Sequence, residues 1–187
     1  MTPERVPPLE RDAAHTAAEA VHVPDFVADI NVFRVLLQHP PLARCLNQLL
    51  GPLLINGTLD ARMRELVIMR VAWVTGSWYE WGQHWKLGQD FGAPAEDLAA
   101  VRDWVHSDRF DATDQAVLRA TDETLAGHAL PDATWADLTG HLPREQCMEL
   151  LMLIGGYQML SGVLRTLGVV LDDGIDLWPP DGRAPGA

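Results

Sequence analysis

Apolar residues recur at helical spacing along almost the whole chain between Phe26 and Leu167, and no segment alternates with period two. A chain patterned in this way buries apolar stripes of helices against one another, so the expected class is all-α, a compact helical bundle. With 187 residues, 48% of them hydrophobic, there is enough chain for one domain with a real core.

The punctuation sets the elements. Residues 1–24 carry Pro3, Pro7 and Pro8 and no sustained apolar period, and read as a flexible N-terminal arm. A single helical domain is expected over 25–170, followed by an Asp-, Pro- and Gly-rich tail, 171–187, laid over a surface. Within the domain, the spacing of Phe26, Ile30, Phe33, Leu36 and Leu37 predicts a helix over 26–38, ended by Pro40-Pro41. A second helix follows over 42–54. Asp60 is placed to cap a helix over 61–74, Thr75-Gly76 interrupts it, and Ser77 is placed to cap another over 78–90. Shorter helices are expected over 95–105, over 114–127 and from Pro131-Asp132, and a last one over 144–167 stops at Gly168.

Charge and composition exclude several classes of function. A net charge of −12 with only 14 basic residues argues against nucleic-acid binding and against an anionic membrane surface. The apolar run Met148 to Leu160 is broken by Glu149, Gly155, Gly156 and Gln158, and reads as too short and interrupted for a membrane span. The start, Met1-Thr-Pro-Glu-Arg, lacks the order of a secretion signal, so the expected location is cytoplasmic. Cys45 and Cys147 each lie in an apolar helical context and read as buried thiols, with neither a disulfide nor a zinc site.

Chemistry concentrates between Glu65 and His84. On a helix that starts at Ser77, residues 77, 80 and 84 share one face, and Glu80 and His84 lie one turn apart. A carboxylate beside an imidazole orients the ring and raises its basicity, which makes an acid/base pair. If the preceding helix packs antiparallel, Glu65 faces that pair. The same residues have a plainer reading. Ser77-x-x-Glu80 is also a capping box, and His84 alone fits a hydrogen-bonded core residue. Glu65 lies in an apolar run, so it is either exposed or buried with a partner such as Arg62, Arg70 or His84. Trp73, Trp78, Trp81 and Trp85, with Tyr79, suit either the wall of a pocket for a flat ligand or ordinary core and interface packing.

The ordered words of the chain resemble the carboxymuconolactone decarboxylase and alkylhydroperoxidase D superfamily. They run from Leu59-Asp60 through Arg64-Glu65 to Arg70 and Trp73, then Tyr79-Glu80-Trp81, Gln83-His84 and Gly92. Asn31 to Arg34 with His39-Pro40 matches upstream. Asp114 to Arg119, Asp132 to Trp135 and Glu149 to Tyr157 match downstream, so the likeness covers about 28–170. The peroxidase branch carries Cys-x-x-Cys-x-x-x-His here, with a Glu on the helix before. Aligned on His84, this chain has Ser77 and Glu80 at the two cysteine positions and Glu65 at the upstream acid. A hydroxyl forms neither a sulfenic acid nor a disulfide, so the resemblance points to the branch without thiol redox chemistry. It implies a compact helical bundle, assembled as a homo-oligomer (trimer or hexamer).

The expected activity is that of an acid/base enzyme without cofactor, a decarboxylase or a related lyase, isomerase or cyclase. Its expected partner is a small unsaturated or aromatic carboxylate, lactone or carbonyl compound. His84, Glu65 and Glu80 are the candidate catalytic groups. Ser77, Tyr79, Trp81, Trp73 and Trp85 are the candidate substrate-binding groups. A metal site is the lesser alternative, since one His lies in the stretch and no His-x-x-x-His pair occurs anywhere. A non-catalytic ligand-binding or scaffold protein on the same fold is the alternative from another class.

Overall fold

A computed structural model describes residues 2–186, and their regular structure is entirely helical. The α-helices are α1 (Arg11–Ala20), α2 (Asn31–Leu36), α3 (Pro40–Ile55), α4 (Ala61–Thr75), α5 (Trp78–Asp90), α6 (Ala95–Ala100), α7 (Ala112–Gly127), α8 (Asp132–His141) and α9 (Arg144–Leu167), with 3₁₀ turns at Asp25–Asp29 and Val101–His106.

Helix α4 is the centre of the bundle. Its residues from Arg64 to Met69, with Val71 and Ala72, are buried, and α5, α7 and α9 pack around it. A helix enclosed on all sides needs a near-continuous apolar sequence, which Leu-Val-Ile-Met at 66–69 supplies. The polar groups it carries are paired. Arg70 forks onto Asp122 of α7 at 2.6 and 2.8 Å, and Arg62 bridges the buried Asp97 and Asp114 at 2.7 and 3.0 Å. Asp60 caps the start, its carboxylate accepting from the backbone N–H groups of Arg62 and Met63 at 3.0 and 3.2 Å. Gly76 ends the helix in the left-handed region (φ 67°) and turns the chain into α5.

The N-terminal segment is not a loose arm. Residues 11–20 form α1, whose Ala14 and Ala18 are buried, and Val23 follows them into the core. Small residues one turn apart pack closely without producing the stripe of large apolar residues that marks a helix in sequence. The chain before α1 is also held, because Arg5 N–H donates to Leu167 O (2.8 Å) and Arg34 Nε to Leu9 O (2.7 Å). The helix expected over 26–38 divides into the 3₁₀ turn and α2, broken where Ile30 is extended, and Phe26 is exposed. Pro40 and Pro41 open α3 rather than only closing what precedes them, since a missing N–H costs nothing in a first turn. Cys45 is exposed, whereas Cys147 is buried as expected. By length and mean hydropathy (1.4 in its most apolar window) α9 is long and apolar enough to cross a membrane, contrary to the reading of its interrupted run. In the fold half of that window is buried, with Leu150, Leu153, Ile154, Tyr157 and Leu164 among the core residues.

Beyond α9 the tail returns across α5. The Asp172 carboxylate accepts from Asn31 N–H (2.7 Å), from the Tyr79 hydroxyl (2.5 Å) and from Gln83 Nε2. Trp81 Nε1 donates to Pro179 O at 2.7 Å. Trp178 is buried against Trp73 and Trp81, each with a ring-centroid separation of 6.0 Å. The tail lies so close that a Cβ on Gly82 would meet Ile175 Cγ2 at 2.7 Å and Asp176 O at 3.0 Å.

Candidate active site

Helix α5 has two working faces. One carries Tyr79, Gln83 and Gly82 towards the tail, and the other carries Glu80, His84 and Gly88 towards α4 and α9. Gly88 lets α5 approach α4 beside Glu65, since a Cβ there would stand 3.4 Å from Glu65 Cβ and 3.0 Å from Leu98 Cδ1. One turn before it, His84 Nδ1 meets Glu65 Oε2 at 2.7 Å. The other oxygen of Glu65 accepts from Arg64 Nε at 3.0 Å. On its far side, His84 Nε2 stands 3.5 Å from Glu80 Oε2. Arg64, Glu65, His84 and Glu80 thus form one continuous chain of charged groups, each less than one-tenth exposed.

The electrostatics of this chain are unequal. Burial alone would push Glu65 up, but the charge and hydrogen bond of His84, then of Arg64, hold its carboxyl below the usual range. Burial would pull His84 down, and the charge and hydrogen bond of Glu65, helped by Glu80, raise it instead. Glu80 has no such support. Burial, with Glu65 adding to it and only His84 opposing, pushes its carboxyl up to about 7. The result is a Glu65–His84 pair in which each partner favours the charged form of the other, beside a carboxyl pushed up to about 7. Glu65 is a poor base and a good orienter, whereas Glu80 is poised to give or take a proton.

Tyr157 of α9 packs its ring edge-on to His84 (centroids 5.2 Å apart), and burial, with the charges of Glu80 and Glu65, raises its phenol well above the ordinary value. It is therefore a neutral donor beside the imidazole. Two turns further along α9, Arg165 Nη1 donates to Thr75 O at the end of α4. Ser161 lies on α9 one turn from each of Tyr157 and Arg165. Ser77 and Ser161 are fully buried, and neither hydroxyl has a hydrogen-bond partner among the described residues. The capping-box reading fails for that reason. Ser77 occupies the N-cap position of α5 without a side-chain cap bond, and Glu80 turns to His84 instead of back to the helix start.

The structure thus brings together Glu65, Glu80, His84 and the Ser77 end, and it separates the aromatic groups from them. Tyr79 is bound to Asp172 and Val32, and Trp81 to Pro179. Trp73, Trp81 and Trp85 form one cluster with Trp178, Arg102 lying over Trp73 and Trp81 at 5.0 and 4.7 Å. These rings hold the tail and are already in contact with one another, as large aromatic side chains in a core commonly are. Arg64, Tyr157 and Ser161 went unread in the sequence. Arg64 was legible as a neighbour of Glu65, while Tyr157 and Ser161 come from a helix far along the chain. Among the described residues no group of three or more His, Cys, Asp or Glu side chains is placed to hold a metal ion.

The carboxymuconolactone decarboxylase family model matches residues 40–123, the span that holds α4 and α5. Over that span the chain is similar to the carboxymuconolactone decarboxylase family. Solved structures with the same fold superpose over most of its length. An uncharacterised peroxidase-related protein from Silicibacter sp. TM1040 has a TM-score of 0.73 at 12% identity, covering 93% of this chain and 95% of that one. A peroxidase-related protein from Ralstonia eutropha JMP134, described as an alkylhydroperoxidase AhpD core, has a TM-score of 0.72 at 18% identity, over 88% and 87%. A cysteine-to-alanine variant of the debrominase Bmp8, in complex with 2,3,4-tribromopyrrole, has a TM-score of 0.71 at 14% identity, over 92% and 94%. No curated protein is significantly similar to the chain in sequence. At these identities the likeness is one of fold, a fold on which the debrominase is also built.

Proposed function

We propose that this protein is a member of the carboxymuconolactone decarboxylase/AhpD-like superfamily and an acid/base enzyme that works without a reactive thiol, on a small unsaturated or aromatic carboxylate, lactone or carbonyl compound. The observation that supports this most is the buried line Glu65–His84–Glu80, with one carboxyl kept ionised, one held near 7, and the imidazole between them. Paired titratable groups whose surroundings push them apart are the arrangement that acid/base chemistry needs at neutral pH. In a decarboxylation the bond to the leaving carboxylate breaks, its electron pair moves into an enolate, and the proton on His84 or Glu80 is delivered to the carbon. Isomerisation and cyclisation move the same proton without losing a group, and dehydration delivers it to a hydroxyl that departs as water. Tyr157 and Ser77 are the hydroxyls available to stabilise the oxyanion. The two cysteines take no part: Cys147 donates to Leu142 O and Cys45 is exposed on α3.

The test is turnover of a panel of aromatic acids and unsaturated lactones in D₂O, followed by NMR for product and for solvent deuterium at carbon. Activity is expected to fall above about pH 7 as Glu80 loses its proton. His84→Ala, Glu65→Gln and Glu80→Gln are expected to lose about 10²–10⁴-fold. Full activity in any of the three would overturn the assignment. A ligand-binding protein without turnover is the second reading, favoured by the enclosure of all three groups. It predicts thermal stabilisation by a ligand with no product.

A further inference from the structure

Among the described residues, five buried side-chain polar atoms have no hydrogen-bond partner: Arg64 Nη2, Ser77 Oγ, Arg102 Nε, Thr124 Oγ1 and Ser161 Oγ. Two of them, Arg64 Nη2 and Ser77 Oγ, belong to residues of the site just described. A hydroxyl can donate or accept, but the guanidinium nitrogen can only donate, so an acceptor is missing at Arg64. A guanidinium nitrogen without an acceptor is the costliest of these to bury, because the charge is shared over the whole fork. Arg64 uses only Nε on Glu65, and its side chain is 7% exposed. Its charge also acts on His84 and Tyr157, which places it within reach of the same enclosure. The ring of Phe91, 42% exposed at the end of α5, lies 4.6 Å over the Arg64 guanidinium and separates it from solvent.

We propose that Arg64 is an anion-binding residue of this site, its free Nη2 donating to a ligand carboxylate, and that the carboxylate enters past Phe91 and is bound together with a proton on the His84–Glu80 pair. The charge count favours this stoichiometry. With Glu65 ionised, Arg64 charged and two protons on the coupled His84–Glu80 pair, these four groups carry one excess positive charge, which a monoanion balances. With one proton on the pair they are already neutral, and an added anion would be uncompensated; the nearby Glu149 carboxylate is held by the Thr58 and Leu59 donors. The titratable groups that Glu80 interacts with are His84 and Tyr79 on its own helix, Glu65 on α4 and Tyr157 on α9. Glu65 is held ionised by its two partners and both phenols are already neutral, so the proton taken up belongs to the His84–Glu80 pair. The proposal rests on the reading of the Glu65–His84–Glu80 line as a ligand site, and not on its turning anything over.

Isothermal titration with benzoate against benzamide, and acetate against acetamide, tests it on the full chain. Wild-type protein is expected to bind at least one carboxylate and to prefer it at least ten-fold over its neutral amide. Binding near pH 8 is expected to take up about one proton, read from buffers of different ionisation enthalpy, and to weaken about ten-fold per pH unit above 7. Arg64→Gln is expected to lose that preference by about ten- to a hundred-fold. Arg64→Lys, which keeps one nitrogen for Glu65 but no fork, is expected to lose it likewise and serves if the Gln variant does not fold. Carboxylates and amides bound alike by wild type, or a preference that survives in Arg64→Lys, would overturn the proposal. An inactive protein that shows Arg64-dependent carboxylate binding would instead refute the acid/base reading and leave this one standing.

Discussion

Glu80→Gln separates the role of Glu80 from its effect on folding. In the folded chain burial holds the Glu80 carboxyl at about 7, against 4.5 for the free group. The sign follows from proton counts. Between these two values the folded state holds a proton that the unfolded state has released, so stability falls as pH rises through this window. Above about 7 both states are ionised and the loss is complete. At 1.36 kcal/mol per unit of pKa difference it amounts to about 3 kcal/mol. A glutamine of nearly the same shape does not titrate. Glu80→Gln should therefore match wild type near pH 4 and gain on it steadily up to pH 7. From there it should stay about 3 kcal/mol more stable, or about 6–12 °C in Tm for a chain of this size. Urea unfolding at pH 4.5, 5.5, 6.5 and 7.5 measures this directly. His84 pairs with Glu65 in both proteins, and its titration begins to matter only at the upper end of that range. The same variant should lose activity, as expected where an active site stores instability. A difference between the two proteins that stays constant within about 0.5 kcal/mol across this range would show that Glu80 keeps an ordinary carboxyl.

Other outcomes follow from the same geometry. Ser77→Ala should change stability by less than about 0.5 kcal/mol, because the hydroxyl makes no cap bond, whereas loss of a working cap costs about 1 kcal/mol; chemical denaturation distinguishes the two. Asp172→Asn should cost about 1–3 kcal/mol and raise hydrogen exchange in residues 170–182 selectively, since the carboxylate gathers three donors from α2 and α5; unchanged exchange there would mean that Asp172 does not hold the tail.

Much of the fold was readable because its ends are chemically marked. Asp60, Gly76 and Gly168 stop or start α4 and α9 where the residues require it, and α5 and α9 occupy the ranges the periodicity predicts. Alanine packing is silent in such a reading, which is why α1 looked like a loose arm. The candidate site was readable as far as one helix pair could show it. Glu80 remained ambiguous because a cap and an acid/base group share the Ser-x-x-Glu spelling, and only the buried, bond-free Ser77 hydroxyl separates them. The tryptophans misled for a related reason. Their crowding marks something large and flat, and that partner is the chain's own tail, folded back from residues invisible to any local pattern.

The tail's seat has a spectroscopic consequence. Trp73, Trp81, Trp85 and Trp178 place their rings 5.3 to 6.5 Å apart at fixed tilts. Indoles so close couple their intense transition dipoles, and the chain should show a far-ultraviolet exciton couplet whose amplitude depends on Trp178 staying docked. Undocking removes one chromophore from the cluster while Glu65, His84 and Glu80, on the other face of α5, stay where they are. Circular dichroism can therefore follow the tail and leave the acid/base line unobserved, so motion of one can be timed against chemistry at the other without a label.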